Sequence, residues 1–100
     1  MGKLREQQSK FALNVAHLIL FAYNRGYELT FGDAWARTGH IKNSLHYDRL
    51  AVDFNLFRNG EWLSETRAHE ELGMYWESLD PSCRWGGKFR DGNHYEMSRP

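Results

Sequence analysis

Two short stretches of the sequence carry side chains that could bind a metal ion and perform acid–base chemistry. The first holds His46 and Asp53, seven residues apart, and the second is DGNH at residues 91–94. A catalytic zinc site typically takes three protein ligands from histidine and carboxylate side chains and leaves a fourth position open. His46, Asp53 and His94 would supply such a set. Asp91, on the turn before His94, would then be free to act as general base and acid in amide hydrolysis.

The strand that contains Asp53 decides whether these side chains meet. An apolar row in alternate positions predicts a strand from about residue 50; it consists of Leu50, Val52, Phe54 and Leu56. Period-two geometry puts Asp53 on the opposite, polar face. The odd spacing would place His46 on the apolar side of one continuous strand, so the two converge only if the chain turns near residues 47–49. Otherwise both histidines are ordinary polar residues and Asp53 pairs with an arginine such as Arg37 or Arg49.

Other residues with reactive side chains fit known motifs poorly. HEELG at residues 69–73 begins like the zinc-protease motif H-E-x-x-H, but Gly73 stands where the second histidine is needed. We therefore predict that this stretch lies on a helix surface. Cys83, the single cysteine, excludes an internal disulfide and a cysteine-based zinc finger, and we expect a buried or inert thiol. His17 is predicted to be a structural or surface histidine rather than a ligand.

The elements that must position the candidate residues follow from hydrophobic periodicity and turn signals. Apolar residues at three- and four-residue steps predict helices over residues 5–25 and 65–79. Strands are predicted over 27–36, from about 50 to 57, over 61–63 and over 94–97, with Asn59-Gly60 as a type I′ turn. The order α, β-β-β, α, β indicates an α+β domain with a small antiparallel sheet packed against the helices.

The composition is that of an ordinary folded protein of single-domain size, residues 1–100. Of these residues 41% are hydrophobic and 26% charged, enough for one core. The 13 basic and 13 acidic residues cancel, so no nucleic-acid partner is expected. The most apolar run, residues 17–23, is too short to cross a bilayer, and no signal-peptide layout precedes it. We predict a protein made in the cytoplasm without a signal peptide and without membrane insertion.

Four segments in order resemble the zinc D-alanyl-D-alanine carboxypeptidases and phage L-alanyl-D-glutamate endopeptidases. SLHYDRLAVD at residues 44–53 resembles the family motif S-x-H-x-x-G-x-A-x-D, and DGNH resembles the second motif, an acidic residue three before the last ligand. GYELTFGDAWART at residues 26–38 is similar to the family's strand ending in Arg-Thr, and CRWGGKF at residues 83–89 to its W-G-G segment. The resemblance runs from about residue 13 to residue 97.

The resemblance implies a zinc site and a fold. His46, Asp53 and His94 would bind Zn²⁺, and Asp91 would be the catalytic base where many relatives have glutamate. The implied fold is the small α+β fold shared with the hedgehog signalling domain. One departure concerns Arg49, which stands where the family motif has glycine. The loop before residue 44 is also shorter than in many relatives, which would leave the cleft more open.

Three further side chains receive supporting roles. The resemblance implies that Arg37 binds a substrate carboxylate or stabilises the developing oxyanion, for which a planar guanidinium is suited. It also implies that Ser44 is a supporting hydrogen-bond residue. Glu96, two residues after His94, is either a hydrogen-bond acceptor that orients this ligand or a solvated carboxylate at the strand end. Trp62 and Trp85 are candidates for lining the cleft.

The function that the resemblance implies is hydrolysis of peptidoglycan stem peptides by a phage-type endolysin. The expected bond is L-Ala–D-Glu, and D-Ala–D-Ala is the enzymatic alternative. The enzyme is expected to be a monomer that acts on the cell wall in the periplasm after release by a separate membrane-permeabilising protein. A hedgehog-like zinc-binding domain without hydrolytic activity and a metal-free interaction module are the alternatives from other classes. Asp91, a carboxylate beside the ligands, argues for catalysis.

Overall fold

The computed structural model describes residues 2–100 and has the α+β architecture that the sequence predicts. The described helices are α1 (Lys3–Asn24) and α2 (Glu70–Leu79), and the strands are β1 (Glu28–Phe31), β2 (Ala51–Arg58), β3 (Glu61–Trp62), β4 (Cys83–Trp85) and β5 (His94–Met97). Short 3₁₀ helices cover Thr66–His69 and Gly86–Phe89. The sheet is antiparallel, with the strand order β1-β2-β5-β4, and β3 also pairs with β2.

Strand β2 lies between β1 and β5 and carries the predicted apolar row. The four residues of this row, each at most 1% exposed, are Leu50, Val52, Phe54 and Leu56. They share one core with Phe11 of α1 and Trp76 of α2, whose rings pack edge to face at 5.7 Å. Burial of a side chain of this size stabilises the fold by roughly 1.5–3 kcal/mol. The row therefore sets the orientation of β2 and turns Asp53 to the other face.

The observed boundaries differ from the predicted ones in three places. β1 ends at Phe31, because Gly32 and Asp33 bend across Asp53 and exchange backbone hydrogen bonds of 2.7 Å with it. The second predicted helix begins with a 3₁₀ turn and becomes α-helical only at Glu70. β4 lies where the sequence predicts only turns, since three residues are too few to show strand alternation.

Several local predictions are confirmed. Asn59 and Gly60 have φ angles of 53° and 77°, as a type I′ turn requires. Cys83 is buried, and burial raises the pKa of its thiol to about 12, which makes it inert at neutral pH. His17 is exposed on α1. No helix in the described range combines the length and apolar character that crossing a membrane requires.

The prediction that HEELG lies on a helix surface is wrong for its histidine. The neighbouring Glu70 and Glu71 are exposed, but His69 is only 2% exposed. Its Nδ1 lies 2.8 Å from the hydroxyl oxygen of Tyr95 in β5. Burial lowers the pKa of His69 from 6.5 to about 4. The imidazole is therefore neutral in the folded protein at physiological pH.

We expect His69 to make the protein less stable in acid. The unfolded chain binds a proton at this residue below its ordinary pKa of 6.5, whereas the folded protein binds one only near 4. The contribution of neutral His69 to the free energy of unfolding is therefore fully present above pH 6.5. It is lost as the pH falls from 6.5 to about 4. Between about pH 7.5 and about pH 5 the wild type should lose about 2 kcal/mol more than His69→Asn. Urea unfolding of both proteins at each pH measures this difference; equal losses would contradict it.

Candidate metal centre

Three side chains from separate parts of the chain converge on one face of the sheet. His46 Nε2 lies 3.4 Å from Asp53 Oδ1, and His94 Nδ1 lies 3.1 Å from the same oxygen. One donor atom from each residue lies within 4.8 Å of the other two. Tetrahedral zinc with bonds of about 2.0–2.1 Å holds neighbouring ligand atoms about 3.3 Å apart. The two distances to Asp53 Oδ1 are close to this value, and the donor types are those that zinc takes.

Strand pairing accounts for two of these donors. β2 and β5 are antiparallel, and Asp53 stands directly opposite His94 in their register. Residues directly opposite in an antiparallel pair project from the same face, with Cβ atoms about 4.5–5.5 Å apart. The core row on β2 determines which face this is. The two donors therefore meet although 41 residues separate them in the sequence.

A tight turn brings in the third donor. The backbone N–H of Leu50 donates to the carbonyl of Leu45 at 3.0 Å, and that of Arg49 donates to the carbonyl of His46 at 3.3 Å. The N–H of His46 itself donates to Ser44 Oγ at 3.2 Å, so Ser44 braces the start of the turn. This is the turn that the odd spacing requires, because it lets His46 leave the line of β2 and face Asp53.

The same turn explains what is unusual about Arg49. Its φ is 57°, in the left-handed region where glycine is favoured and other residues are strained. This backbone conformation accounts for the preference for glycine in the motif that the sequence resembles. Here the guanidinium carbon lies 4.4 Å from the centroid of the Trp35 ring. An exposed cation–π contact contributes about 0.5–1 kcal/mol, which offsets strain of similar size.

His46 is held in an environment suited to a neutral ligand. It is 3% exposed, and its Nδ1 has no hydrogen-bond partner in the described part of the chain. The His40 ring stacks on it at a centroid distance of 4.2 Å. Burial lowers the pKa of His46, and this effect outweighs the opposing charge of Asp53. A ligand role through Nε2, the nitrogen that faces Asp53, requires the neutral ring and so fits this environment; the nitrogen without a partner is the other one, Nδ1.

Glu96 orients His94. Its Oε1 lies 2.7 Å from His94 Nε2, and its other oxygen pairs with Arg84. A proton shared with Glu96 at Nε2 leaves the Nδ1 lone pair facing Asp53, the usual arrangement behind a metal-binding histidine. Burial would lower the pKa of His94, but the hydrogen bonds to Asp53 and Glu96 outweigh it and raise the pKa to about 9. A bound cation would displace that proton.

Asp91 lies beside the donors without taking part in their hydrogen bonds. Its backbone bridges Gly86 and His94, through N–H···O bonds of 3.0 and 3.1 Å. Its carboxylate has no hydrogen bond or ion pair within residues 2–100 and lines the same cleft, of about 660 Å³, as the three donors. Gly86 permits this turn, because a Cβ there would stand 2.3 Å from the Asp91 carbonyl oxygen. Asp91 is thus a free carboxylate at the edge of the centre.

Arg37 lies outside the cleft. Its side chain is exposed, and its guanidinium carbon lies 5.6 Å from the Trp35 ring centroid. The arginines that do line the cleft are Arg84 and Arg99, each paired with a carboxylate. The substrate-binding role of Arg37 remains a prediction.

The structure adds one residue that the sequence did not single out. His40 comes from the predicted loop, stacks on His46 and lies 2.9 Å from an Asp33 oxygen through Nε2. Its backbone N–H donates to the Tyr47 hydroxyl at 2.8 Å. No periodic pattern marks a residue in an irregular loop, so only the folded arrangement reveals it.

An α+β protein with a His–Asp–His cluster and a free carboxylate in one cleft has the donor set and the acid–base group that a metallopeptidase needs. A comparison with known families supports this: a family profile described as D-alanyl-D-alanine carboxypeptidase matches residues 37–97. The match covers more than half of the chain and contains all three donors. The chain belongs to this family of zinc peptidases. No curated protein matches it.

Proposed function

We propose that this protein is a zinc-dependent peptidoglycan peptidase that hydrolyses the L-Ala–D-Glu bond of the stem peptide, as a phage-type endolysin acting as a monomer. The observation that carries the proposal is the placement of Asp91, a carboxylate without a partner in the described residues, in the same cleft as the three donors. A purely structural metal site has no need of such a group. The family match supports peptide hydrolysis as the reaction class.

His46, Asp53 and His94 would hold the ion. A zinc ion bound there would supply Lewis-acid chemistry, polarising the scissile carbonyl and lowering the pKa of water toward about 7. Glu96 keeps His94 in the required orientation through its 2.7 Å contact. Ser44 holds the turn that carries His46.

Asp91 moves the protons in the proposed reaction. Its carboxylate accepts the proton of the attacking water and then donates it to the nitrogen of the leaving amine. A general base needs access to both water and substrate, and Asp91 is exposed at the cleft wall. One side chain, Asp91, therefore acts first as the general base and then as the general acid.

Hydrolysis of D-Ala–D-Ala is the second candidate, because the matching profile carries that description. The catalytic groups would be the same, and only the contacts of the peptide on either side of the bond would differ. A hedgehog-like zinc-binding domain without activity is the third candidate. For both enzymatic candidates the resemblance leaves Arg37 two roles, binding of a substrate carboxylate or stabilisation of the developing oxyanion.

Digestion of purified peptidoglycan tests the proposal. The zinc-loaded protein is incubated with the polymer, and the released fragments are identified by mass spectrometry. New amino termini at D-Glu are the expected result, whereas free D-Ala would assign the carboxypeptidase activity instead. If no fragment is released by protein that holds one equivalent of zinc, the non-catalytic domain becomes the better explanation.

A further inference from the structure

A second depression lies beside the metal centre, and Asp91 lines both. It has a volume of about 180 Å³. Its walls come from β2, from β3 and the segment after it, and from the turn before β5; the lining includes Phe54, Asn55, Trp62, Ser64, Arg90 and Asp91. The Trp62 side chain is 63% exposed although it is large and apolar. The two depressions therefore adjoin at Asp91.

Arg90 is the cation of this depression. The other basic residue in its lining, His69, is neutral because burial lowers its pKa to about 4. In the adjacent metal cleft, Arg84 pairs with Glu96 and Arg99 with Asp48. Arg90, by contrast, has no acidic partner within residues 2–100. Among the arginines that line the two depressions, it is the one whose charge is left for a ligand.

The turn at Arg90 presents this side chain to the depression. Its φ and ψ are 61° and 33°, the left-handed conformation, at the end of the 3₁₀ helix Gly86–Phe89. Glycine is favoured in this conformation, and any other residue costs stability. Here the left-handed residue ends the 3₁₀ helix, and its backbone N–H donates to the carbonyls of Gly86 and Gly87. Its side chain lines the depression and has no hydrogen bond, ion pair or cation–π contact within residues 2–100.

We propose that Arg90 binds the carboxylate of the amino acid that leaves on hydrolysis. This inference rests on the proposed function, in which Asp91 protonates the leaving nitrogen and the leaving residue must therefore lie next to Asp91. D-Glu continues the stem through its side-chain carboxyl, so the carbon bonded to that nitrogen carries a free carboxylate. The same is true of a leaving D-Ala. A guanidinium binds a carboxylate through two parallel hydrogen bonds.

The inference reassigns a role that the family resemblance gives to Arg37. The Arg37 guanidinium lies over Trp35 and lines neither depression. Arg90 and Asp91 line the same depression, so a carboxylate held by Arg90 lies near the group that handles the proton. Trp62 would form the apolar wall against the rest of the leaving residue.

Binding of a product-like dipeptide tests the inference without requiring hydrolysis. The probes are γ-D-glutamyl-L-lysine and its analogue with the D-Glu α-carboxylate converted to an amide, titrated calorimetrically into zinc-loaded protein. The wild type should bind the acid about 10- to 100-fold more tightly than the amide, as expected for a hydrogen-bonded charge pair. Arg90→Gly suits the left-handed backbone, so it should fold and lose this preference, and Arg90→Lys should keep part of it.

The matched control is Arg5→Gln, which removes an exposed charge outside both depressions that donates a hydrogen bond to Ser9, and it should leave the preference unchanged. Full retention of the preference in Arg90→Gly would overturn the inference. In hydrolysis of a stem tripeptide, Arg90→Gly should raise KM by a similar factor with little change in kcat. If no stem peptide is cleaved but the binding preference depends on Arg90, the proposed function fails and the carboxylate site stands. If the wild type and Arg90→Gly both cleave the tripeptide with equal KM values, the carboxylate site is rejected and the proposed function stands.

Discussion

Asp91→Asn is expected to lower the rate of peptide hydrolysis by about 100- to 10,000-fold, the usual contribution of a general base and acid. Asparagine has nearly the same shape but cannot accept the proton of the attacking water. Zinc binding should remain at one equivalent, because the Asp91 side chain forms no hydrogen bond or ion pair with the three donors within residues 2–100 and only its backbone bonds to His94. Metal analysis of the purified variant and the rate of fragment release from peptidoglycan measure the two effects.

Glu28→Gln is the control for the Asp91 variant. Glu28 is an exposed carboxylate on β1 and lies outside the cleft, so its replacement should change neither zinc content nor rate. Full activity in Asp91→Asn would remove this residue as the base and would leave the cleft without an assigned proton acceptor. Loss of zinc in the same variant would show that Asp91 supports the metal rather than the proton transfer.

His94→Ala is expected to abolish both zinc binding and activity. The change removes one of three donors and also separates Asp53 from Glu96, which His94 bridges through its two ring nitrogens. Loss of a residue that merely supports a ligand typically weakens metal binding about 10- to 100-fold, and loss of the ligand itself should exceed this. Competition for zinc with a chelator of known affinity gives the change, and circular dichroism establishes that the variant is folded.

His17→Ala provides the comparison for this second variant. His17 is exposed on α1, outside the cleft, and its loss should leave zinc binding and rate at wild-type values. A folded His94→Ala protein that still binds one equivalent of zinc with wild-type affinity would refute the ligand set. Asp91→Asn and His94→Ala together separate metal binding from proton transfer, since only His94→Ala should lose both zinc and activity.

Much of the secondary structure could be predicted from neighbours along the chain. Alternation on β2, the helical stripes and Asn59-Gly60 are patterns of a few adjacent residues, and each reflects a local geometric period. The same patterns placed Asp53 on the face away from the core. Boundaries were less predictable where contacts distant in sequence decide them, as at Gly32, where hydrogen bonds to Asp53 end the strand.

The sequence shows the residue types of the candidate metal centre, but only the tertiary structure shows that these side chains lie close together. His94 reaches Asp53 because β5 pairs with β2 in one particular register, and a shift by one residue would turn it to the other face. His46 joins them because Arg49 adopts a left-handed backbone, which no apolar pattern reveals.

Burial and charge pairing likewise depend on the folded chain. His69 belongs to a stretch that appeared exposed, yet packing against Tyr95 buries it. Arg84 and Arg90 are equivalent in composition, but Glu96 neutralises the first and no carboxylate in the described chain pairs with the second. The sequence by itself determined which residue types are present for metal binding and acid–base chemistry. The tertiary structure decided which side chains meet and which charge is left to bind a ligand, because both depend on residues that are distant in the chain.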